Sequence, residues 1–473
     1  MSEYTTTIGL EIHAELKTAS KMFCGCTNDP HHGEPNTHTC PICMGHPGTL
    51  PTINKEAVKH VLKVGVALGG DAPSYSEFDR KNYFYPDIPK GYQISQYAYP
   101  FVSGGELAGV AIERVHLEED TARSQHDQGD GSLVDYNRAS VPLMELVTKP
   151  VMHSAEEAGR FARELQLLLR TLGVSDANME KGEMRVEVNI SVSKSDTLGT
   201  KVEVKNINSF KAAEAAIRFE EKRQIKELEA GNSITQETRG WDENRDKTVS
   251  QRSKETADDY RYFPDPDLPK LDINEITEFN KSRLAEELPE LPEEKRLKYN
   301  DLGLTSELTE VIISNQILSP YFIALTSEVS DGGSDFFKMA ANYLTSDVLG
   351  YMQDQNITVL PVAHTEGFSK LIKMAVGGEI SSRVAKDLLP EVVFEGADPE
   401  KLAQDRGLTQ QNDAAALMPV IESIVAEHTS VADEYRGGKE SVIQFFVGQG
   451  MKATKGAANP AVLKELFEAE LSK

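Results

Sequence analysis

The sequence contains no uninterrupted apolar run approaching the length needed to cross a bilayer, and its start, MSEYTTTIGLEIHAEL, has no basic segment followed by an apolar one. The expectation is a cytoplasmic protein with no membrane association. Cysteine is scarce as well: there are four in 473 residues, all between Cys24 and Cys43. So few thiols make a poor disulfide framework for a long chain, and a reducing compartment keeps them available to metal. Basic charge is in deficit, with 50 Lys and Arg against 75 Asp and Glu and a formal charge of −25. That balance excludes a protein held to nucleic acid by a broad basic field, so an RNA partner has to be gripped locally or by shape. The phosphate-cradling P-loop is also missing, because GVALGGDAPS, GGKES and GMKATKG each lack its glycine, lysine and hydroxyl spacing, and no dinucleotide fingerprint follows a strand. A nucleotide would have to be held by metals and side chains. Long-period repeats, low-complexity tracts and coiled-coil heptads are absent too.

At 473 residues the chain is too long for one ordinary core, and two or three domains are expected. Residues 1–292 mix short alternating strands with helices and hold nearly all the cysteine, aromatic and glycine-rich punctuation. The acidic, proline-rich passage LAEELPELPEEKRLKYND then reads as a linker into a helical domain, 293–407, and a break near Gly407 precedes a small helical tail, 408–473. Two helices are legible in the first part. Ser154 and Glu157 form a capping box ahead of Phe161, Leu165, Leu168, Leu169 and Leu172, with Gly173 as the stop, and a second helix runs from near Ser209 to Gly231.

Alternation with a period of two marks strands. In TTIGLEIHAELKT, Ile8, Leu10, Ile12, Ala14 and Leu16 face one way and Glu11, His13 and Glu15 the other. MRVEVNISV sets Arg185, Glu187, Asn189 and Ser191 opposite an apolar face, and TKVEVKN does the same with Lys201, Glu203 and Lys205. AIERVHLEEDTAR alternates less cleanly: His116, Glu118 and Asp120 share a face with Glu119 on the other, and a bulge is expected. Joined in one antiparallel sheet, these strands give a polar floor of Glu11, His13, Glu118, Glu187 and Glu203, with Arg185 and Lys205 at its edge. Separated carboxylates with a few cations suit magnesium and nucleotide phosphates, although the solvent face of any antiparallel sheet is polar.

Cys24 and Cys26, one residue apart, and Cys40 and Cys43, two apart, are separated by thirteen residues. Two close thiolate pairs on two turns close a tetrahedral shell around a structural zinc and leave no open position for catalysis. A zinc deaminase fits poorly, since Glu11-Ile12-His13 reverses the His-x-Glu order and Pro41 falls inside the cysteine pair. His31, His32 and His38 lie in the loop between the pairs and are alternative ligands. Two further segments interleave cations with aromatic rings: FDRKNYFYPDIPKGYQISQ, carrying Arg80, Lys81, Tyr83, Phe84 and Tyr85, and DYRYFPDPDLP, Asp259 to Pro269. Such segments can stack a base and hold its phosphate, as at a tRNA acceptor end, or can simply be strand core with a closing turn.

IGLEIHAEL, the two cysteine pairs, EFDRKNYFYPDIPKGYQISQ, HLEEDTAR, VDYNRASVPLMELV, GTKVEVKNINSF and DYRYFPDPDLP, in this order, resemble the signature blocks of the B subunit of the aspartyl/glutamyl-tRNA(Asn/Gln) amidotransferases, the GatB family. VGQGMKATKGAANP is similar to the tail region of the same family, so the resemblance spans essentially the whole chain. It implies an α+β fold: an antiparallel-sheet catalytic domain related to glutamine synthetase, an all-helical domain and a tRNA-contacting tail. It further implies a translation enzyme using ATP and Mg2+, with structural Zn2+. Glu-tRNA(Gln) or Asp-tRNA(Asn) is phosphorylated on its side-chain carboxylate and amidated with ammonia from the amidase, or A, subunit; the small C subunit completes a heterotrimer. Carried over by motif, the metal and catalytic positions are Glu11, His13, Glu118, Glu119, Glu187 and Glu203; Arg80, Lys81, Tyr83, Tyr85 and Lys205 serve substrate. His13 ligates only when neutral. Where the family block usually reads Arg-Cys-Asp this chain has Arg185-Val186-Glu187, one methylene longer, and VDYNRASVPLMELVTKP departs from the usual RAG and TEPD forms. The competing readings are a non-catalytic tRNA-binding protein, which leaves the acidic face unexplained, and a ligase for a free amino acid, which leaves the tail unexplained.

Overall fold

The computed structural model describes residues 4–125, 131–253, 260–329, 332–409, 414–454 and 458–473. They fall into two compact units, Met1–Leu291 and Pro292–Lys473.

The alternating segments of the first unit assemble into one nine-stranded sheet. Its order is Lys247–Ser253, Glu237–Asp242, Val202–Lys205, Met184–Ser193, Thr5–Glu15, Pro142–Thr148, Val110–Glu119 and Val102–Ser103, with Glu106–Leu107 also paired to Val110–Glu119. The expectation of a wholly antiparallel sheet is corrected here: Val202–Lys205 and Glu237–Asp242 run parallel, Glu203 opposite Thr238, so the sheet is mixed. Helix Phe210–Glu229 lies between these two strands in sequence and supplies the long crossover that a parallel pair needs.

One face of the sheet is the core. Ile8, Leu10, Ile12, Ala14, Val186, Val188, Ile190, Val202 and Val204 are buried together with Phe161, Leu165 and Leu169 of helix Ala155–Thr171. Full burial of a side chain such as Leu165 contributes about 2 kcal/mol over leaving it in water. Both predicted helices form. Ser154 Oγ accepts the amide of Glu157 at 3.2 Å, Ser209 Oγ accepts that of Ala212 at 3.0 Å, and Gly173 and Gly231 follow the helix ends at φ +68° and +81°. At those angles a side chain would be strained.

Strand Val110–Glu119 changes phase partway along. Val110 and Ile112 point into the core, but so do Val115 and Leu117. The switch is a bulge: Val147 pairs with Arg114 and Thr148 with Ile112, leaving Glu113 unpaired and exposed. From Arg114 onward the even-numbered side chains face away from the core. The bulge expected in this segment is present, upstream of His116.

The described residues of the second unit form helices from Pro292–Asp301 to Pro460–Leu471. Leu417, Ile421, Phe446, Leu463 and Phe467 form an apolar cluster of their own near its end. Among the described residues no single helix is long and apolar enough to cross a membrane. The segment KATKGAANP includes residues 455–457, which lie outside the described residues.

Candidate active site and metal centres

The polar face of the sheet floors a cleft of about 400 Å³. Strand register builds it in rows. His13 lies opposite Glu145, Glu145 opposite His116, and Leu143 opposite Glu118. His13 Nε2 is 3.3 Å from Glu145 Oε2 and 3.7 Å from Glu118 Oε1; His116 Nε2 is 3.3 Å from Glu145 Oε2 and 3.8 Å from Glu118 Oε2. In the adjacent row Glu11 faces Glu187, and Glu203 lies beside Asn189 on the next strand. Asn189 Nδ2 donates to Glu11 Oε1 at 2.8 Å, the Thr238 hydroxyl donates to Glu203 Oε2 at 2.7 Å, and Lys205 Nζ is 2.8 Å from Glu187 Oε2.

Two donor groups result, His13 with Glu118 and Glu145, and Glu11 with Glu187 and Glu203; within each, ligand atoms lie within 4.8 Å of one another. Carboxylate oxygens with one imidazole form a donor set suited to a hard divalent cation such as Mg2+ or Mn2+. The charge states agree with two crowded acids held by two bases. Although burial opposes it, the charge of Glu145 raises His13 and lifts His116 to about 9. Burial likewise opposes ionisation of Glu145 and Glu118, yet His116 and His13, with Lys81 acting on Glu118, hold both below the usual carboxylate range. Beside them Asp120, buried but flanked by Arg138 and by Arg185 at 2.9 Å, is held at about 2. A cation held by His13, Glu118 and Glu145 would need the His13 imidazole neutral.

The wall above the floor comes from the two aromatic segments, which are strand neighbours: Phe263 pairs with Arg80 and Pro264 with Asp79. Alternation sends Lys81 and Tyr83 into the cleft and Arg80 away from it, where its guanidinium binds Asp265 and Asp267, each at 2.8 Å. Tyr97 and Tyr262 stack at 4.5 Å, and Lys81 Nζ lies 5.1 Å over the Tyr260 ring. Tyr85 is exposed, beside Phe84 on a separate shallow depression. Asp259 is outside the described residues.

Of the residues expected at the site, Glu11, His13, Glu118, Glu187, Glu203, Lys81, Tyr83 and Lys205 line this one cleft. Glu119, Arg80 and Tyr85 do not. Glu119 follows Val115 and Leu117 onto the opposite face, paired with Lys90 and accepting the Ile94 amide at 2.9 Å. Gln93, Gln96, Tyr260 and Tyr262, from the two aromatic segments, line it as well, while Glu145, Arg114, Thr238 and Tyr97 also line the cleft and were not expected there. The signal for Glu145 was a lone acid in the apolar run VPLMELV.

The four cysteine sulfurs also lie within 4.8 Å of one another, with Cys40 and Cys43 Sγ 3.8 Å apart. A tetrahedron with 2.3 Å zinc–sulfur bonds has edges of about 3.8 Å, so the cluster fits zinc. The thiol of Cys24 holds Cys43 down at about 5, while burial pushes Cys26 up to about 11. The loop histidines go elsewhere: His31 toward Glu15 and Glu183, His32 to Asp29, and His38 to the Asp29 carbonyl. Hydrogen bonds from Tyr136 N to Asn36 Oδ1, His38 N to Asn137 Oδ1 and Asn137 Nδ2 to the Glu34 carbonyl stitch this loop to the 134–140 turn. Arg138, on the same turn, donates to the carbonyls of Thr121 and Ala122.

A mixed-sheet domain with an acidic cleft on the polar face of its sheet, followed by a helical unit, defines an α+β protein. Residues 6–278 match the family described as the GatB/GatE catalytic domain, and residues 322–471 match the one described as the GatB domain. The chain belongs to the GatB family. Its similarity to curated relatives runs end to end: 42% identity over 484 residues to a protein of Thermoanaerobacter sp., covering 100% of both chains. For Thermomicrobium roseum it is 43% over 486 residues, covering 100% of this chain and 99% of the relative, and for Crocosphaera subtropica 41% over 491 residues, covering 99% and 97%. All three relatives are named as the B subunit of aspartyl/glutamyl-tRNA(Asn/Gln) amidotransferase.

Proposed function

We propose that this chain is the carboxylate-activating component of a tRNA-dependent amidotransferase, working in the cytoplasm in a heterotrimer with the amidase (A) subunit plus the small C subunit. The observation that carries the reading is the pair of cation-ready donor groups side by side in one cleft, His13–Glu118–Glu145 and Glu11–Glu187–Glu203. In this reading the side-chain carboxylate of Glu-tRNA(Gln) or Asp-tRNA(Asn) takes the terminal phosphoryl group of ATP, releasing ADP. Ammonia then attacks the acyl carbon, phosphate leaves, and the amide of Gln-tRNA(Gln) or Asn-tRNA(Asn) remains. Mg2+ supplies neutralisation of the phosphoryl charge when bound. His13 and His116 keep Glu118 and Glu145 ionised for that cation, and Lys205 fixes Glu187 beside Glu203. Lys81 and the tyrosines at 83, 97, 260 and 262 form the wall against which the acceptor end rests. The cysteine cluster holds zinc as a structural clamp. The sheet domain is taken as glutamine-synthetase-like, 293–407 as its helical domain and 408–473 as the tail that contacts tRNA.

The test is ADP release by the assembled complex given ATP, ammonium and Glu-tRNA(Gln), comparing wild type with Glu11→Ala and Glu118→Ala while tRNA binding is followed separately. Loss of ADP and Gln-tRNA(Gln) with tRNA binding intact supports the reading. Full activity in both variants favours a non-catalytic, tRNA-presenting role.

A further inference from the structure

The floor carries six carboxylates, Glu11, Glu118, Asp120, Glu145, Glu187 and Glu203, and four of the six basic side chains lining the cleft are committed to one of them. His13 and His116 lie between Glu118 and Glu145, Arg185 holds Asp120, and Lys205 holds Glu187 and Glu203. Lys81 lies over aromatic rings. Arg114 lines the same cleft, yet among the described residues its guanidinium has no hydrogen bond or ion pair. An arginine that docks on none of six available carboxylates is placed for an anion that arrives with a ligand.

Its position says which anion. Val147 is the register partner of Glu11 on one side and of Arg114 on the other, so both lie in one cross-strand row, with backbones about 10 Å apart at two strand spacings. Arg114 therefore shares the floor with the Glu11–Glu187–Glu203 group, one strand removed, so a phosphate held by a cation on that group has a guanidinium on its other side. Arg114 points into the cleft only because the bulge at Glu113 turns it there, the kind of local re-aiming that bulges supply beside active sites. A guanidinium fork matches two oxygens of a phosphate and keeps its charge at any working pH.

We infer that Arg114 binds a phosphate oxyanion of the nucleotide, opposite the Glu11–Glu187–Glu203 group; this rests on the ATP-dependent reading above. The experiment uses the full-length chain with its partner subunits and the variants Arg114→Gln and Arg114→Lys. Equilibrium titration with Mg–ATP and with adenosine is paired with KM values for ATP and for Glu-tRNA(Gln). The expected result for Arg114→Gln is a tenfold or greater rise in both Kd and KM for ATP. Affinity for adenosine and KM for tRNA stay at the wild-type level, and Arg114→Lys recovers part of the loss. Unchanged ATP binding in Arg114→Gln, beside a wild type that binds ATP, overturns the role of Arg114 and leaves the proposed function standing. A rise confined to KM for tRNA overturns it as well and places Arg114 at the acceptor end. Failure of the wild type to bind ATP removes both readings.

Discussion

His116 Nε2 stands 3.3 Å from Glu145 Oε2, the same oxygen that His13 Nε2 approaches at 3.3 Å from the neighbouring strand. One carboxylate thus sits between two imidazoles in a buried row, and its loss uncouples both. Glu145→Gln keeps the volume and removes the charge. The expected outcome is a fall in Mg2+ affinity on the order of 100-fold with ATP-dependent amidation lost in parallel. Titration with Mn2+ followed by paramagnetic relaxation checks it, and an unaltered affinity would remove Glu145 from the cation site.

The same row sets a pH dependence. His116 sits at about 9 when folded against an ordinary 6.5. A group raised on folding stabilises the fold fully below its unfolded value and loses that contribution as pH rises through the folded one. Chemical unfolding of the chain in EDTA is expected to show stability falling from about pH 6.5 to 9, by on the order of 2 kcal/mol. His116→Gln flattens the profile across that window. Mg2+ affinity runs the other way, rising with pH as the imidazoles lose their protons.

Zinc removal is predicted to act beyond the knuckle. Asn36, His38 and Asn137 tie the loop between the cysteine pairs to the 134–140 turn, and Arg138 on that turn faces Asp120 at 3.6 Å. Cys43→Ser is expected to lower bound zinc from one per chain, to reduce Tm by roughly 5 °C, and to speed amide exchange at 134–140. Exchange rates at 134–140 equal to wild type in a zinc-free variant would show that the clamp stops at the loop.

Tyr262 stacks on Tyr97 and stands by Lys81 at the rim of the cleft. Replacing it with leucine keeps bulk and removes the ring face. KM for misacylated tRNA is expected to rise about tenfold, with KM for ATP within twofold of wild type. A rise in the ATP constant alone would place the nucleotide base on this wall instead.

Glu11, His13, Glu187 and Glu203 were readable because their strands alternate without interruption over an apolar face. Glu145 was hidden by its own strand, where Met144 and Leu146 enter the core while Leu143 and Val147 share the glutamate's face, so no polar stripe appears. Arg80 and Lys81 are adjacent and chemically alike, and only pairing with Tyr92–Ser95 and Phe263–Pro264 decides which enters the cleft. The parallel pair lay beyond pattern reading too, since alternation fixes which face a residue takes and says nothing of strand direction. The tyrosines at 260 and 262 join the wall through a contact with residues more than 150 positions away, a separation no local pattern reports.

The unpaired Glu113 gives its strand a reading frame. Substituting it changes one exposed side chain and is expected to leave activity intact. Deleting it leaves Ile112 opposite Thr148 and Arg114 opposite Val147 as consecutive pairs, so plain alternation keeps Arg114, His116 and Glu118 on the cleft face and Val115 and Leu117 in the core. The strand therefore tolerates losing a residue at this one position, whereas a length change within the regularly paired stretch from Arg114 to Glu119 turns the side chains beyond it onto the other face.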